Sequence, residues 1–353
     1  MSSDLKASTD IPSTFLDQLA PDYREFVEAQ PPALRVPLHT LQWSPVFRGR
    51  PGVPPPDFGQ SSPVPVRSTR VLPLYDGRFS VRVLTPEGER PEGGWPVLLF
   101  IHGGGWVMGT AETGAPFFTR ACVEANCVVV SVEYRLAPDH PFPAAIDDCF
   151  DTLRWVVGPG REEIGADVSR VAIAGVSSGG SLAAVLAQRA SRAGIPLVLQ
   201  ILFTALTNAT FTADQPENWP PTMKEYANIF SLRALDMLWL RDLYLPNPAD
   251  RALPDASPLL VDDPKAYEGM PPAFLGVMEL DVLRSELEMY AEKMRKFGVP
   301  VTLKEYKGAT HMTIAADRVC QAARDMRNDK IEALKTAFAK PTSDYKKMVA
   351  GST

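Results

Sequence analysis

Four cysteines and four histidines are all that 353 residues supply, and each scarcity excludes a class of chemistry. Cys122, Cys127, Cys149 and Cys320 sit in apolar runs and form no C-x-x-C pair, so a zinc site or a disulfide framework is not expected. They read as buried free thiols. Excess positive charge is missing too. Lys and Arg total 36 against 42 Asp and Glu, a formal net charge of −6. Binding to nucleic acid needs a basic surface and is not expected. No apolar run reaches the roughly 18 residues of a membrane span. Met1–Pro12 lacks the basic-then-apolar pattern of a secretory signal. The expectation is a cytoplasmic protein with no metal, no cofactor, no nucleic-acid partner and no membrane span.

Proline is abundant instead: the 34 residues gather before position 75 and around 216–221 and 246–272. Residues 1–11 and 339–353 read as flexible ends. Phe15, Leu16, Leu19, Tyr23, Phe26 and Val27 share one helical face, which predicts a helix within Pro12–Gln30. Pro31–Pro73 is irregular but too apolar for a solvated tail, so it is expected to pack over the body. Strands at Val71–Tyr75 and Phe79–Leu84 flank Asp76-Gly77-Arg78, a hairpin signal. Apolar runs follow at Pro96–His102, Cys127–Tyr134, Val171–Ala174, Leu197–Phe203 and Ala273–Met278, as strands covered on both faces require, and a further strand is expected at Val301–Tyr306. They alternate with helices expected near 116–125, 142–157, 178–192, 285–297 and 313–338. The order predicts an α/β fold with an eight-stranded, mostly parallel sheet flanked by helices. The alternation breaks at 204–263, which holds one apolar helix near 232–245. The expected division is a core of 71–203 and 264–338 and a helical cap made by residues 1–70 and the insertion 204–263. Such a cap would lie at the edge of the sheet where open α/β folds bind ligands.

Reactive chemistry centres on Val171-Ala-Ile-Ala-Gly-Val-Ser-Ser-Gly-Gly180, a strand followed by a tight turn and a helix. The turn carries G-x-S-x-G. It predicts an exposed, strained Ser177 and a Ser178 N–H aimed at whatever Ser177 attacks. A plain turn explains the five residues equally well when they are taken alone. The run His102-Gly-Gly-Gly-Trp106 ends another strand. Gly103, Gly104 and Gly105 offer backbone N–H groups with no Cβ in the way, a second wall for an oxyanion hole. A phosphate loop fits neither spacing nor context. His311 follows the final strand, where a base can reach the turn. His102 reads as a structural brace. His140 and His39 lie in a Pro-rich loop and in the irregular N-terminal segment. The acid is expected after the penultimate strand, where Asp281 is chosen over Glu279, and Glu286 already lies in the next helix. A helix N-cap is the plainer reading of Asp281.

Together HGGGW at 102–106, Tyr134-Arg-Leu-Ala-Pro-Asp-His-Pro-Phe-Pro-Ala-Ala-Ile-Asp-Asp148, Gly175-Val-Ser-Ser-Gly-Gly180, Asp281-Val-Leu-Arg-Ser-Glu286 and His311 resemble the hormone-sensitive-lipase-like branch of the α/β-hydrolases. The resemblance covers roughly residues 70–335. It implies an α/β-hydrolase fold, a helical cap and hydrolysis of a small-molecule carboxylic ester without a cofactor. It also implies a Ser177–Asp281–His311 triad and oxyanion donors in Gly103–Gly105 and at Ser178. Short or compact acyl groups and a homodimer are compatible with it. Arg135, Pro138 and Asp148 match a structural motif of that branch. Val176 and Ser178 stand where the branch commonly has Asp and Ala, Val282 and Ser285 where it has Pro and Asp, and Thr204 where it has Pro. Trp106, Trp219, Met223, Tyr226 and Trp239 are candidate pocket residues, with packing of the cap as the plainer alternative. Other acyl reactions (amide deacylation, acyl transfer, lactone chemistry) use the same triad. A non-catalytic receptor on this fold is disfavoured because every triad residue is present.

Overall fold

The structure is a computed structural model that describes residues 11–31, 35–49 and 56–339. The flexible ends expected at 1–11 and 339–353 fall almost wholly outside these residues. Eight strands form one sheet: β1 (Ser68–Leu74), β2 (Phe79–Thr85), β3 (Trp95–Ile101), β4 (Val128–Glu133), β5 (Ala166–Val176), β6 (Leu199–Phe203), β7 (Ala273–Leu280) and β8 (Val301–Thr310). Their spatial order is β1-β2-β4-β3-β5-β6-β7-β8. The β1–β2 hairpin and the β2–β4 pair are antiparallel, and all later neighbours are parallel.

Ten α-helices accompany the sheet among the described residues: α1 (Ser13–Leu16), α2 (Pro21–Glu28), α3 (Ala115–Glu124), α4 (Ala144–Val157), α5 (Arg161–Ile164), α6 (Ser178–Arg192), α7 (Pro221–Glu225), α8 (Ala234–Tyr244), α9 (Arg284–Lys296) and α10 (Gln321–Ala339). Strand β3 shows why helices cover both faces. Every residue of Trp-Pro-Val-Leu-Leu-Phe-Ile is buried. Side chains alternate along a strand, so Val97, Leu99 and Ile101 join the cluster that holds the apolar sides of α4, α6 and α9. Leu98 and Phe100 join the opposite cluster with α3 and α10.

Three sequence expectations change. The single helix expected within Pro12–Gln30 is two, α1 and α2, because Pro21 pushes Ala20 out of the helical region (φ −53°, ψ 132°). The Ala20 N–H then donates to the Gly308 carbonyl at 3.0 Å, which ties the N-terminal segment to β8. Strand β8 runs on to Thr310 through residues expected to be a loop, since the Glu279 carboxylate accepts from the Gly308 N–H at 2.8 Å beside a register shift between Met278 and Leu280. The last helix starts at Gln321 rather than Thr313. A 3-10 turn at Thr313–Ala315 comes first, and Asp22 then caps α10 by accepting from the Gln321 N–H at 2.7 Å.

On the α10 side of the sheet Lys330 is buried, with Nζ 4.2 Å from the centre of the Phe117 ring and 5.0 Å from that of Phe203. Burial lowers its pKa from 10.5 to about 7. The folded chain therefore binds fewer protons here than the unfolded chain between about pH 7 and the ordinary lysine range. The contribution of Lys330 to stability rises with pH across that window and is most unfavourable below it. Replacing Lys330 by Met should raise the melting temperature most at about pH 6 and least at about pH 9. A gain that is equal at both pH values, measured by thermal melts, would show that the ammonium is not the cause.

Candidate active site

Strand β5 ends in Val176, and Ser177 opens α6 with φ 55° and ψ −124°. A non-glycine residue in such a conformation costs about 1–3 kcal/mol and persists only where its surroundings fix it. Here the Ser177 N–H donates to the Phe203 carbonyl at 2.9 Å, and the Ser177 carbonyl accepts from the Ser181 N–H at 3.0 Å. The turn is tight enough to demand glycine: a Cβ on Gly179 would stand 2.2 Å from the Ile101 carbonyl oxygen. Ser177 is half-buried, less open than its sequence suggested.

His311 is the first residue beyond β8 and is buried. Its position is fixed from two directions. The Thr310 hydroxyl donates to the Tyr23 hydroxyl of α2 at 3.3 Å, and the Met312 N–H donates to the Ser231 hydroxyl at 2.9 Å. The imidazole joins the other two predicted residues, with Nε2 2.9 Å from Ser177 Oγ and Nδ1 2.9 Å from Asp281 Oδ2. A carboxylate only accepts, so Nδ1 carries a proton, and in the neutral ring that leaves Nε2 to accept from the serine hydroxyl. Asp281 is buried, and its other oxygen accepts from the Leu283 N–H at 3.1 Å. The carboxylate therefore serves both the imidazole and the turn that leads to α9. Glu279 points elsewhere. Its oxygens take the Gly308 N–H and Lys307 Nζ, at 2.8 and 3.1 Å.

The triglycine loop lies against this turn. A Cβ on Gly103 would be 3.4 Å from Ser177 Cβ. Gly104 has φ 126°, accessible to glycine at little cost. Among the described residues, the backbone N–H groups of Gly103, Gly104, Gly105 and Ser178 have no protein acceptor, as candidate oxyanion donors require. His102 braces the loop as expected. Its Nδ1 donates to the Gly103 carbonyl at 2.8 Å, and its ring stacks on Tyr134 at 4.2 Å. Burial lowers its pKa to about 4, so it stays neutral. Tyr134 donates to the His102 carbonyl at 2.9 Å, and next to it Arg135 Nε and Nη2 clasp Asp148, both at 2.9 Å.

Of the pocket candidates, Trp106 follows the triglycine run and stacks on Tyr244 at 4.9 Å. Trp219, Met223 and Tyr226 are buried in the main apolar cluster, and Trp219 Nε1 donates to the Thr212 carbonyl at 2.7 Å. Trp239 is half-buried against Phe47. Glu286 is the neighbour whose role the sequence concealed. It is buried and accepts from the N–H groups of Thr207 and Asn208, and burial raises its pKa to about 7. Its motif position was visible, but its partners lie 78 and 79 residues away in the chain. Among the described residues no His, Cys, Asp and Glu cluster could hold a metal ion, and no helix is long and apolar enough to cross a membrane.

A Ser–His–Asp relay at the ends of β5, β7 and β8, beside a glycine loop after β3, defines a serine hydrolase site on an α/β sheet. Residues 98–315 match the family model described as the alpha/beta hydrolase fold. The chain belongs to the α/β-hydrolase fold family and, within it, to the hormone-sensitive-lipase-like carboxylesterases. It is similar to the AB hydrolase superfamily protein C1039.03 of Schizosaccharomyces pombe, 37% identical over 93% of this chain and 96% of that one. It is similar also to the ethyl acetate hydrolase of Pseudomonas putida, 31% identical over 88% and 96%. A solved thermostable esterase from Pseudomonas putida ECU1011 superposes with a TM-score of 0.76 at 30% identity, covering 92% of this chain and 99% of that one.

The two carboxylates separate in a direct test. Asp281→Asn should lower turnover by about 10⁴-fold, the scale set by a misplaced histidine tautomer. Glu279→Gln, which loses only a tie to β8, should stay within about tenfold of the parent. Steady-state rates that reverse this ranking would move the acid to Glu279.

Proposed function

We propose that the protein hydrolyses carboxylic esters of short or compact acyl groups through an acyl-enzyme on Ser177. The observation that carries this is the unbroken relay from Asp281 through His311 to Ser177, with 2.9 Å at each step. In this reading His311 Nε2 takes the Ser177 proton as Oγ attacks the ester carbonyl. The free amides of the triglycine loop and Ser178 receive the developing oxyanion. Collapse of the tetrahedral species expels the alcohol, which leaves with the proton from His311. Water then repeats the cycle on the acyl-enzyme, and Asp281 steadies the imidazolium in both halves.

We assign the acyl group to the space one helical turn beyond the serine, which Ser181 lines and Ser177 itself does not. There a cavity of about 10 Å³ is lined by Trp106, Leu182, Val185, Leu206, Tyr244, Leu245 and Ala256, with Ser181 and Asp255 as its polar members. That is close to the room one water needs, so a long chain would have to displace side chains to enter. The similarity to an ethyl acetate hydrolase supports the same reading. We further propose that residues 35–49 and 204–263 act together as the cap. In support, α8 reaches the triglycine loop through Leu240, whose Cδ1 lies 2.8 Å from where a Gly105 Cβ would be.

A series of p-nitrophenyl esters from acetate upward tests the reading. The value of kcat/KM should be highest for the shortest acyl groups and fall with length. Leu206→Ala should move the maximum to longer chains. Ser177→Ala should lose about 10⁴–10⁶-fold in turnover with the fold retained. A profile that rises with length, or a Ser177→Ala variant within about tenfold of the parent, would overturn it.

A further inference from the structure

The loop from Gly103 to Met108 is under backbone strain that its own hydrogen bonds do not explain. Gly104, Gly105 and Trp106 take φ values of 126°, 62° and 62° in succession, and Trp106 is not a glycine. A bulky residue in that region persists only when neighbours over-determine it. Within the loop, the Gly104 carbonyl accepts from the N–H groups of Val107 and Met108, at 3.2 and 3.0 Å. The Trp106 carbonyl accepts from the Ala137 N–H at 3.0 Å, which joins the loop to the segment after β4. The carbonyls of Val107 and Ala137 remain, and both belong to fully buried residues.

One side chain takes both. Arg48 Nε donates to the Val107 carbonyl at 3.0 Å, and Nη2 donates to the Ala137 carbonyl at 2.7 Å. Its third nitrogen, Nη1, lies 2.5 Å from Asp139 Oδ2 at the surface. The planar guanidinium suits this task because its donors diverge at fixed angles, whereas an ammonium is a single point. The arginine is itself held in place. Its Cζ sits 5.2 Å over the Trp43 ring, Trp43 stacks on Phe47 at 5.5 Å, and Phe47 packs on Trp239 of α8 at 5.7 Å. Upstream, the His39 N–H donates to Asp236 of α8 at 3.0 Å. The 3-10 turn that carries Arg48, Pro45–Arg48, is therefore anchored to the helix that covers the triglycine loop.

We infer that Arg48 is a positioning residue for the oxyanion hole: it clamps the triglycine loop to the segment after β4 and keeps the loop amides aimed at the position above Ser177. This rests on the esterase reading for its catalytic consequence but not for the clamp itself. It assigns the N-terminal segment a task in turnover beyond covering the site. Oxyanion donors act in proportion to their alignment, and removing one outright costs about 10²–10³-fold in kcat. A loosened pair should cost less.

Two measurements on the full chain test this. The first needs no substrate: amide hydrogen exchange of the peptide spanning 102–109. Exchange should quicken in Arg48→Ala and Arg48→Lys and stay at the parent rate in Asp139→Asn, which keeps both carbonyl bonds. The second is kinetics on p-nitrophenyl acetate. Arg48→Ala should lower kcat by about 10- to 100-fold with KM within about threefold, a partial loss of one donor's effect. Added guanidinium should restore part of kcat, and Arg48→Lys should restore less than the arginine supplies. Unchanged exchange, or a change confined to KM or melting temperature, would overturn the inference. An Asp139→Asn loss equal to that of Arg48→Ala would overturn it too, by placing the effect in the surface ion pair. If Arg48→Ala does not fold, Arg48→Lys carries both measurements. A parent enzyme that turns over no ester, with exchange still quickened in the variants, would count against the esterase reading and leave the clamp standing.

Discussion

Everything in the site depends on one strained turn, in which Ser177 leaves β5 with φ 55° and enters α6 at once. The turn lifts Oγ clear of the sheet and frees the first amides of the helix, including that of Ser178. Its cost is offset by packing that admits no Cβ. Gly179 meets the carbonyl of Ile101, and Gly175 meets the carbonyl of Gly179. Strand β3, strand β5 and helix α6 are thereby held at contact distance, and the glycine loop that follows β3 has no choice but to lie beside the serine.

Around that turn, each group assigned a part in the reaction is held by a neighbour that is assigned none. Tyr134 and the neutral His102 hold the start of the glycine loop, and Arg135 with Asp148 holds the chain just beyond Tyr134. His311 is fixed by ties of its flanking residues to α2 and to Ser231, so two distant stretches of chain set one imidazole. Glu286 gathers the amides of Thr207 and Asn208 at the start of the insertion, on the helix that Asp281 introduces. Preorganised donors in a buried site need no rearrangement when charge develops, which is the main source of such catalysis.

The candidate reactive residues were legible because each sits at a position that local pattern defines. Ser177 follows a β-branched run and is flanked by glycines, the three glycines follow a wholly apolar strand, and Asp281 and His311 come just after the last two strands. Much of the sheet was legible for the same reason: apolar runs separated by turn residues mark the buried strands β3 to β7, whereas the first half of β8, Val-Thr-Leu-Lys-Glu-Tyr, carries charge and is largely open. What stayed hidden depends on residues far apart in sequence. The break before Pro21 is a local signal, since a proline inside a helical pattern ends it at the preceding residue, but nothing in Pro12–Gln30 showed that the freed Ala20 N–H would meet Gly308. Trp219 and Met223 look alike as pocket or core in sequence, and only packing places them in the apolar cluster. Arg48 is one arginine among many in a Pro-rich stretch until the fold brings Val107 and Ala137 to its two faces.

The central claim is that Ser177 forms a covalent acyl intermediate. Its most direct test is intact-mass analysis of the protein quenched in acid during turnover of p-nitrophenyl acetate, followed by peptide mapping. The account predicts a population heavier by one acetyl group, with the label on the peptide that contains Ser177 and absent from Ser177→Ala. Turnover with no acyl adduct at any time point, or an adduct on another residue of the parent enzyme, would contradict it.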